Sequence, residues 1–521
     1  MPRLLPLLLV GLAAPLAAQR PLKPVSTLPK DLDRYVEQAM REFGVPGLAL
    51  AVVKDGKVVL ARGYGVKTLG APDKVDAQTQ FGIASNTKVF TAVALGILVE
   101  QGKLAWDRPV IDYLPWFAMY DPFVTRELTI RDLLVHRSGF GLGAGDLLWW
   151  PASSYDRKEI ARRLRYIKPA TSFRSAYAYD NVLYTVAGEV IETVSGRTWE
   201  DFVQAEILAR VGMTHSTVRH SDAGGAGNVA TTHAMVEGTL KPVAPMTSDN
   251  TNPAGGINSG AEDMAKWMLV MADSGRLADG SRLYSARTAR QLWSIVTPLG
   301  TGSAPPHLAP LSTNFNGYGL GLFLRDYRGT KVATHTGGLP GYVSRVTTVP
   351  SARLGVAVLL NSEGGAAFDA ITWRLVDHFL GAEPFDWIGG FKRQRAVSDS
   401  AIAAQRQSAA TSRDASSKPS LPLAKYAGTY RDAWYGDVEV ADEGGRLAIR
   451  FKHTPSLVGD LEHWQYDTFL ARWRDRELRA DAFVTFQLGP DGKVDQVKLV
   501  PESEEVDFSF DFQDLLLEPV N

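Results

Sequence analysis

The chain has 521 residues, of which 45% are hydrophobic and 22% are charged, and its net charge is −1. This length and composition allow a large buried core and about two to four domains. The near-neutral charge, without a basic run, argues against a nucleic-acid partner. The chain contains no cysteine, which excludes a disulfide and a lipid-modified cysteine anchor.

The first 18 residues predict a cleaved signal peptide. A basic start precedes an apolar run over residues 4–18 that ends in small residues. This run is short and contains Pro6 and Pro15, so it is a poor membrane span. We therefore expect an exported protein, periplasmic or secreted, with no membrane span.

The next elements are a helix and a hairpin. Residues 31–43 have apolar side chains at helical spacing and predict an amphipathic helix. Residues 47–64 predict a β-hairpin, because two apolar runs flank the turn sequence Lys-Asp-Gly-Lys at 54–57.

The stretch from Phe81 to Lys88 places a serine and a lysine at the start of an apolar helix. Apolar residues recur at helical spacing after Lys88, so Ser85 is expected in the first turn. Positions i and i+3 share a helix face, which brings the Lys88 amine within reach of the Ser85 hydroxyl. The unpaired N–H groups of a helix N-terminus favour an alkoxide and later an oxyanion. This pattern predicts an activated serine nucleophile, and the alternative is a serine-capped helix with a solvated lysine.

Two segments further along carry reactive or aromatic side chains that we interpret as structural. Asp132 and His136 are one helical turn apart, and we assign them to a helix end that fixes a loop rather than to a catalytic pair. Trp149 and Trp150 are able to wall an acyl-binding pocket, but we predict buried packing for them.

The segment containing Tyr179 and Asn181 is the second candidate part of a site. Residues two apart in an extended segment point the same way, so both side chains can face one cleft. The phenol of Tyr179 can then share the serine proton with Lys88, and the Asn181 amide can hold Lys88 and a substrate carbonyl. The structural alternative is a helix-flanking aromatic residue followed by an asparagine cap.

The third candidate part is the strand end formed by His335, Thr336, Gly337 and Gly338. Glycines at a strand end let another backbone approach closely, and an extended substrate can add to such an edge. The N–H of Gly338 and that of Ser85 form a candidate oxyanion hole. His335 is a candidate cation or donor in the cleft, against the alternative of a plain surface histidine.

Three further strands and a helix complete the first domain. They are predicted at residues 331–336, 342–349, 354–361 and 366–380, respectively. Strands at both ends of a mostly helical region indicate an α+β fold, in which distant segments close one antiparallel sheet. Helices flank this sheet, and a helical insertion lies against it. The first domain is therefore predicted over residues 19–390.

A linker and a second domain follow. Residues 391–421 are rich in Gln, Ser, Ala, Arg and Lys, a composition typical of a linker, with a possible short helix at 401–410. Short alternating runs separated by turn signals over residues 422–521 predict a small all-β barrel. A linker of this kind would let the barrel approach the cleft as a lid or substrate gate, and the alternatives are a domain spacer and a role in stability.

The chain resembles the serine β-lactamase and penicillin-binding protein superfamily, in particular its class C-like branch. Three elements in the family's order carry the resemblance: Ser85-x-x-Lys88, Tyr179-Asp180-Asn181 and His335-Thr336-Gly337. Further phrases match at residues 133–139, 212–213 and 253–263, so the likeness covers roughly residues 25–385. The C-terminal domain resembles the lipocalin-like barrels that are appended to some of these hydrolases.

The resemblance implies a role for each matching residue. Ser85 is the acylated nucleophile, Lys88 and Tyr179 share the proton transfer, and Asn181 positions Lys88 and substrate. His335 occupies the basic position of the third element, where β-lactamases of this branch usually carry lysine. Histidine there resembles D,D-carboxypeptidases, D-aminopeptidases and many esterases of the group, and it holds a substrate carboxylate less firmly than an ammonium does.

We therefore predict a serine hydrolase that forms an acyl-enzyme and cleaves ester or amide bonds, β-lactams included, in a small-molecule or peptide substrate. The alternatives are a peptidase for D-amino-acid peptides and an inactive relative that serves as a binding module. No cofactor is expected. No metal is expected either, since the loose pair His215 and His220 is interpreted as structural.

Overall fold

A computed structural model describes residues 25–224 and 227–520. The predicted signal peptide lies outside these residues and stays a prediction. The described chain folds into an N-terminal α+β domain and a C-terminal β-barrel, so the fold class predicted from the sequence is confirmed.

The helices lie mostly in the first domain. Their bounds are α1 Leu32–Phe43, α2 Lys88–Glu100, α3 Pro122–Glu127, α4 Arg157–Arg163, α5 Val182–Ser195, α6 Trp199–Val203, α7 Ala209–Val211, α8 Asn252–Gly255, α9 Ala261–Ala272, α10 Ala286–Leu292, α11 Gly365–Leu380 and α12 Trp387–Ser412. None of these helices has the length and apolar character needed to cross a membrane.

The strands of the first domain come from both ends of its sequence. Their bounds are β1 Gly47–Lys54, β2 Lys57–Gly65, β3 Phe81–Gly82, β4 His233–Val236, β5 Thr239–Pro242, β6 Asn258–Ser259, β7 Thr297–Pro298, β8 Asn316–Tyr318, β9 Phe323–Tyr327, β10 Thr330–Leu339, β11 Tyr342–Val349 and β12 Leu354–Leu360. Over the described ranges the main sheet has the order β2-β1-β12-β11-β10-β9-β8-β7.

Strand β1 shows why the sheet is buried on both faces. Leu48, Leu50 and Val52 alternate with alanines and Val53, and the whole strand is buried. The leucines and Val52 face a core that includes α1 and α11, whereas Ala49, Ala51 and Val53 face the core that contains α2 and α9. This period of two puts small residues toward the helices next to Ser85 and large residues toward the other layer.

The segment between the domains is more helical than the sequence predicts. Residues 391–421 were predicted as a linker, but α12 is a continuous helix that extends to Ser412. Trp387, Ile388 and Phe391 bury its first turns against the first domain. Alanine, glutamine and arginine favour helix as readily as they favour a soluble linker, so this composition is compatible with both, and α12 contains the short helix expected at 401–410.

The C-terminal strands form a barrel that is almost closed. Their bounds are β13 Gly428–Asp432, β14 Gly436–Asp442, β15 Leu447–Phe451, β16 Val458–Gln465, β17 Thr468–Trp473, β18 Ala482–Leu488, β19 Val494–Pro501 and β20 Glu518–Pro519. Neighbours in the chain pair antiparallel, and β20 returns to pair with β13. A bridge between Val497 and Leu517 then joins the two ends of the sheet.

Candidate active site

Ser85 lies in a short 3₁₀ turn, Ala84–Thr87, that runs directly into α2. Ala84 has a φ of 49°, a left-handed conformation that is uncommon for a residue with a side chain. The preceding strand β3 pairs with β6, which ties this turn to the loop after α8. Backbone strain next to a reactive side chain persists only where the surroundings hold it, as this pairing does.

The Lys88 amine lies against the Ser85 hydroxyl, as the i, i+3 spacing predicts. The distance from Lys88 Nζ to Ser85 Oγ is 2.9 Å. The amine also contacts Asn181 Oδ1 at 2.7 Å and the carbonyl oxygen of Ala254 at 3.0 Å. The lysine is completely buried, so these three groups replace its hydration.

The Asn181 side chain is oriented by a buried carboxylate. Its Nδ2 donates to Asp146 Oδ2 at 2.7 Å, so its oxygen faces Lys88. Asn181 stands directly before α5, but its side chain does not cap that helix. The helix-cap alternative is therefore not what the structure shows, and the side chain is free to link Asp146 to the lysine.

The pKa values of Lys88 and of the two carboxyl groups near it are all shifted to about 7. Burial lowers the pKa of Lys88 from 10.5 to about 7, while the charges of Asp146 and Asp180 raise it in part. Burial also raises the pKa of Asp146 to about 7 and that of Asp180 to about 7, against hydrogen bonds and the charge of Lys88. A lysine in such a site exchanges its proton near neutral pH, which is the property that a general base needs.

Tyr179 stands over the Lys88 amine, with its ring centroid 4.8 Å from Nζ. Burial raises the pKa of Tyr179 well above 10, and an interaction with the Ser85 hydroxyl lowers it only in part. The side chain is therefore a phenol at neutral pH. The His136 ring lies 4.2 Å from the Tyr179 ring, and its Nδ1 accepts from the N–H of Asp180, so His136 supports the tyrosine segment.

Asp132 takes part in a separate ion pair. It accepts from Arg137 at 2.9 Å and from Arg174 at 2.5 Å, away from His136. This arrangement agrees with the structural role expected for both residues.

Strand β10 brings the third element to the cleft. Gly337 is packed against the turn that holds Ser85, since a Cβ there would lie 2.3 Å from the carbonyl oxygen of Ile83. Thr336 and Gly338 are exposed and line the cleft, and a Cβ on Gly338 would meet nothing within 4 Å. Gly337 thus holds the turn in place, whereas its neighbours face the site.

His335 lines the cleft without a charge. Its Nε2 lies 2.9 Å from the Tyr318 hydroxyl, and its Nδ1 contacts the carbonyl oxygen of Thr336. Burial, with the charge of Lys88, lowers its pKa to about 3. The cation considered for this position from the sequence is not present at neutral pH, because the imidazole is 2% exposed and has no carboxylate partner in the described chain.

A cleft of about 290 Å³ opens onto Ser85. Its walls combine the predicted site residues with aromatic and C-terminal residues: Ala84, Ser85, Trp149, Trp150, Tyr177, Tyr179, Asn181, His220, Ala254, Gly255, Phe323, His335, Thr336, Gly338, Leu339, Asp507, Phe508 and Ser509. Trp149 and Trp150 are buried, as predicted, and they also wall the cleft.

Sequence reasoning missed Asp146 and the barrel residues 507–509. Asp146 has no motif around it, and the barrel segment lies more than 300 positions from Ser85 in the sequence. Residues 507–509 of the C-terminal domain line the cleft in this structure, and a role of the barrel as a lid stays a prediction. Phe508 lies with its ring 6.0 Å from that of Tyr179, edge to face.

His215 does not pair with His220. It lies with Glu262 and Asp263, with potential ligand atoms within 4.8 Å of one another. Lys266 already pairs with both carboxylates, at 3.2 and 2.9 Å, so we assign the cluster to an ion pair. The expectation that catalysis needs no metal stays a prediction.

The fold and the site define a β-lactamase-fold hydrolase with a serine–lysine pair. A family model described as Beta-lactamase matches residues 32–380, and a second, described as a domain of unknown function (DUF3471), matches residues 412–519. The chain therefore belongs to the serine β-lactamase and penicillin-binding protein superfamily. Its class C-like assignment stays a prediction.

Curated relatives and solved structures agree with this assignment. An unguisins hydrolase from Aspergillus violaceofuscus is 30% identical over 472 residues, covering 85% of this chain and 82% of that protein. Penicillin-binding protein 4 from Amycolatopsis lactamdurans is 29% identical, covering 64% of this chain and 84% of that protein. The octameric penicillin-binding protein homologue from Pyrococcus abyssi shares the fold with a TM-score of 0.58 at 23% identity, covering 94% of this chain and 99% of that one.

Gly337→Ala is expected to displace the turn that holds Ser85. The new methyl group would lie 2.3 Å from the carbonyl oxygen of Ile83, an overpacking that costs about 1–3 kcal/mol of stability. Gly338→Ala is the matched control for stability, because its methyl group enters open space. Thermal unfolding should show a lower Tm for Gly337→Ala alone, and equal Tm values for the two variants would contradict the packing described.

Proposed function

We propose that the protein is a serine hydrolase that cleaves an amide or ester bond through an acyl-enzyme on Ser85. The observation that carries the proposal is the contact of the buried Lys88 amine with the Ser85 hydroxyl at 2.9 Å. The relatedness to an unguisins hydrolase supports a hydrolytic activity. Retention of this geometry argues against an inactive binding module.

The contacts of Lys88 favour it as the general base. Asn181 Oδ1 and the Ala254 carbonyl are pure acceptors, so they take the two N–H groups of a neutral amine. The amine's lone pair is then left for the proton of Ser85. Tyr179 remains protonated and serves as the phenol that donates to the reacting oxygen or leaving group.

Acylation and deacylation would use the same groups. Ser85 attacks the substrate carbonyl as its proton moves to Lys88, and the oxyanion is placed between the N–H groups of Ser85 and Gly338. The proton is passed to the leaving group, and a water molecule activated by Lys88 then releases the acyl group. Gly338 lines the cleft beside Ser85, which supports its part in this scheme.

The edge of β10 favours an extended substrate. Strand β9 pairs with β10 only over Thr330–Thr334, whereas β11 pairs with its other edge as far as Leu339. In the described part of the chain, no strand pairs with the edge of residues 335–339 that faces away from β11. A peptide can add to such an edge through main-chain hydrogen bonds, which favours peptide amides over other substrates.

The walls of the cleft disfavour a substrate carboxylate near the scissile bond. Among the described lining residues there is no lysine or arginine. Burial lowers the pKa of His220 to about 4, so it, like His335, is neutral at pH 7. This composition favours internal or C-terminally blocked amides and esters over the D,D-carboxypeptidase and β-lactam alternatives.

Ser85→Ala is expected to abolish hydrolysis. Loss of the nucleophile of a catalytic unit costs roughly a thousandfold to a millionfold in rate. The assay uses a p-nitrophenyl ester, a chromogenic cephalosporin and D-alanyl peptides, with labelling of Ser85 by a fluorophosphonate. Ser294→Ala, which alters an exposed serine, is the matched control. Unchanged turnover in the Ser85 variant would refute the proposed function.

The pH dependence of kcat/KM should report the proton on Lys88. A base must be unprotonated, so activity is expected to fall as the pH drops through about 7, the pKa of Lys88. Tyr179→Phe should lower kcat on the order of a hundredfold and leave this acid limb in place. A limb that disappears in Tyr179→Phe would instead make the tyrosine the base.

A blocked peptide should be a better substrate than its free acid. We expect an N-acyl-D-Ala-D-Ala amide to be cleaved with a kcat/KM about tenfold or more above that of the free acid, since an unpaired carboxylate loses its hydration in the cleft. The corresponding L-peptide amide tests the stereochemical preference. A higher kcat/KM for the free acid would restore the carboxypeptidase alternative.

A further inference from the structure

One hydrogen bond joins the barrel to the site. The Ser509 hydroxyl donates to Asp146 Oδ2 at 2.8 Å, and both side chains are buried. The two residues are 363 positions apart in the sequence. This hydrogen bond between the two domains is therefore buried in the wall of the cleft.

Asp146 is connected to the lysine through the Asn181 side chain. Its Oδ2 also accepts from Asn181 Nδ2, and its Oδ1 accepts from Trp149 Nε1 at 2.9 Å. The Asn181 oxygen in turn accepts from Lys88 Nζ at 2.7 Å. A continuous series of buried hydrogen bonds thus runs from the barrel through Asp146 and Asn181 to the amine.

The same barrel segment clamps the loop that carries Asp146. The carboxylate of Asp511 accepts from the N–H of Gly145 at 2.6 Å and from that of Leu147 at 3.0 Å. The backbone oxygen of Phe508 approaches Gly143 so closely that a Cβ there would lie 2.7 Å from it. The loop is therefore held on both sides of Asp146 by the C-terminal domain.

We propose that Ser509 is a positioning residue for the serine–lysine pair, and that the barrel thereby completes the active site of the first domain. Its hydroxyl favours the ionised form of Asp146 and keeps it aimed at the Asn181 amide, which presents its oxygen to Lys88. The proposal rests on the proposed function of that pair. It assigns the C-terminal domain a role in the chemistry beyond that of a spacer.

The physical consequence is electrostatic. Removing the Ser509 hydroxyl takes a donor from the Asp146 carboxylate, which favours its protonated form and raises its pKa. The negative charge of Asp146 raises the pKa of Lys88, so loss of that charge lowers it. The other titratable groups near the Lys88 amine are Asp180, His136, His335 and Tyr179. Asp511, from the barrel, is the titratable group that faces Asp146.

The test compares full-length Ser509→Ala, Asp146→Asn and the wild type. We expect Ser509→Ala to lower kcat about tenfold, because the free energy of one hydrogen bond corresponds to about that change in rate. We also expect the acid limb of kcat/KM to move to lower pH. Asp146→Asn should move the limb in the same direction. Ser503→Ala is the matched control, because this buried barrel serine accepts from the N–H of Glu505 and does not line the cleft.

A second measurement separates this proposal from the proposed function. Titration of ¹³C-labelled lysine by NMR, with Lys88→Met to assign the signal, gives the Lys88 midpoint without any turnover. A lower midpoint in Ser509→Ala than in Ser503→Ala supports the positioning role even if no substrate is cleaved. Identical midpoints in both variants, or an unshifted acid limb in an active Ser509→Ala enzyme, would overturn it.

Discussion

The structure of this protein is constrained by one buried amine. Lys88 has no contact with solvent, and its nitrogen is surrounded by the Ser85 hydroxyl, the Asn181 amide and the Ala254 carbonyl. Burying an amine away from water costs free energy unless the amine is hydrogen-bonded or neutral. Here it is hydrogen-bonded to three groups, and burial lowers its pKa to about 7. The turn held by the pairing of β3 with β6, the residue before α5 and the helix α8 all have to meet at this atom.

The burial of Lys88 also bears on the proposed recognition of a substrate, because the histidine next to it is uncharged. His335 is uncharged because burial, together with the charge of Lys88, lowers its pKa to about 3. A second cation beside a buried amine would raise the cost of either charge. In the proposed function the substrate is therefore oriented by the open edge of β10 and by aromatic walls, rather than by a charged side chain.

The two domains meet where the chemistry is proposed. Asp511 and Phe508 hold the loop on either side of Asp146, and Ser509 reaches the carboxylate itself. An Arg479–Glu363 ion pair, in which Arg479 Nη2 donates to Glu363 Oε1 at 2.7 Å, also joins the barrel to the first domain. The helix α12 that precedes the barrel is packed at its start, so the arrangement does not depend on a flexible connection.

The sequence by itself determined the class of fold, the α+β sheet closed by distant strands, the C-terminal barrel and the i, i+3 contact of Ser85 with Lys88. These features follow from local periodicity and spacing, which act over a few residues. Only the tertiary structure decided the placement of Asp146 and Ser509, the neutral state of His335 and the full length of the helix α12. Burial and contacts between residues hundreds of positions apart set these properties, and neither is encoded in a local pattern.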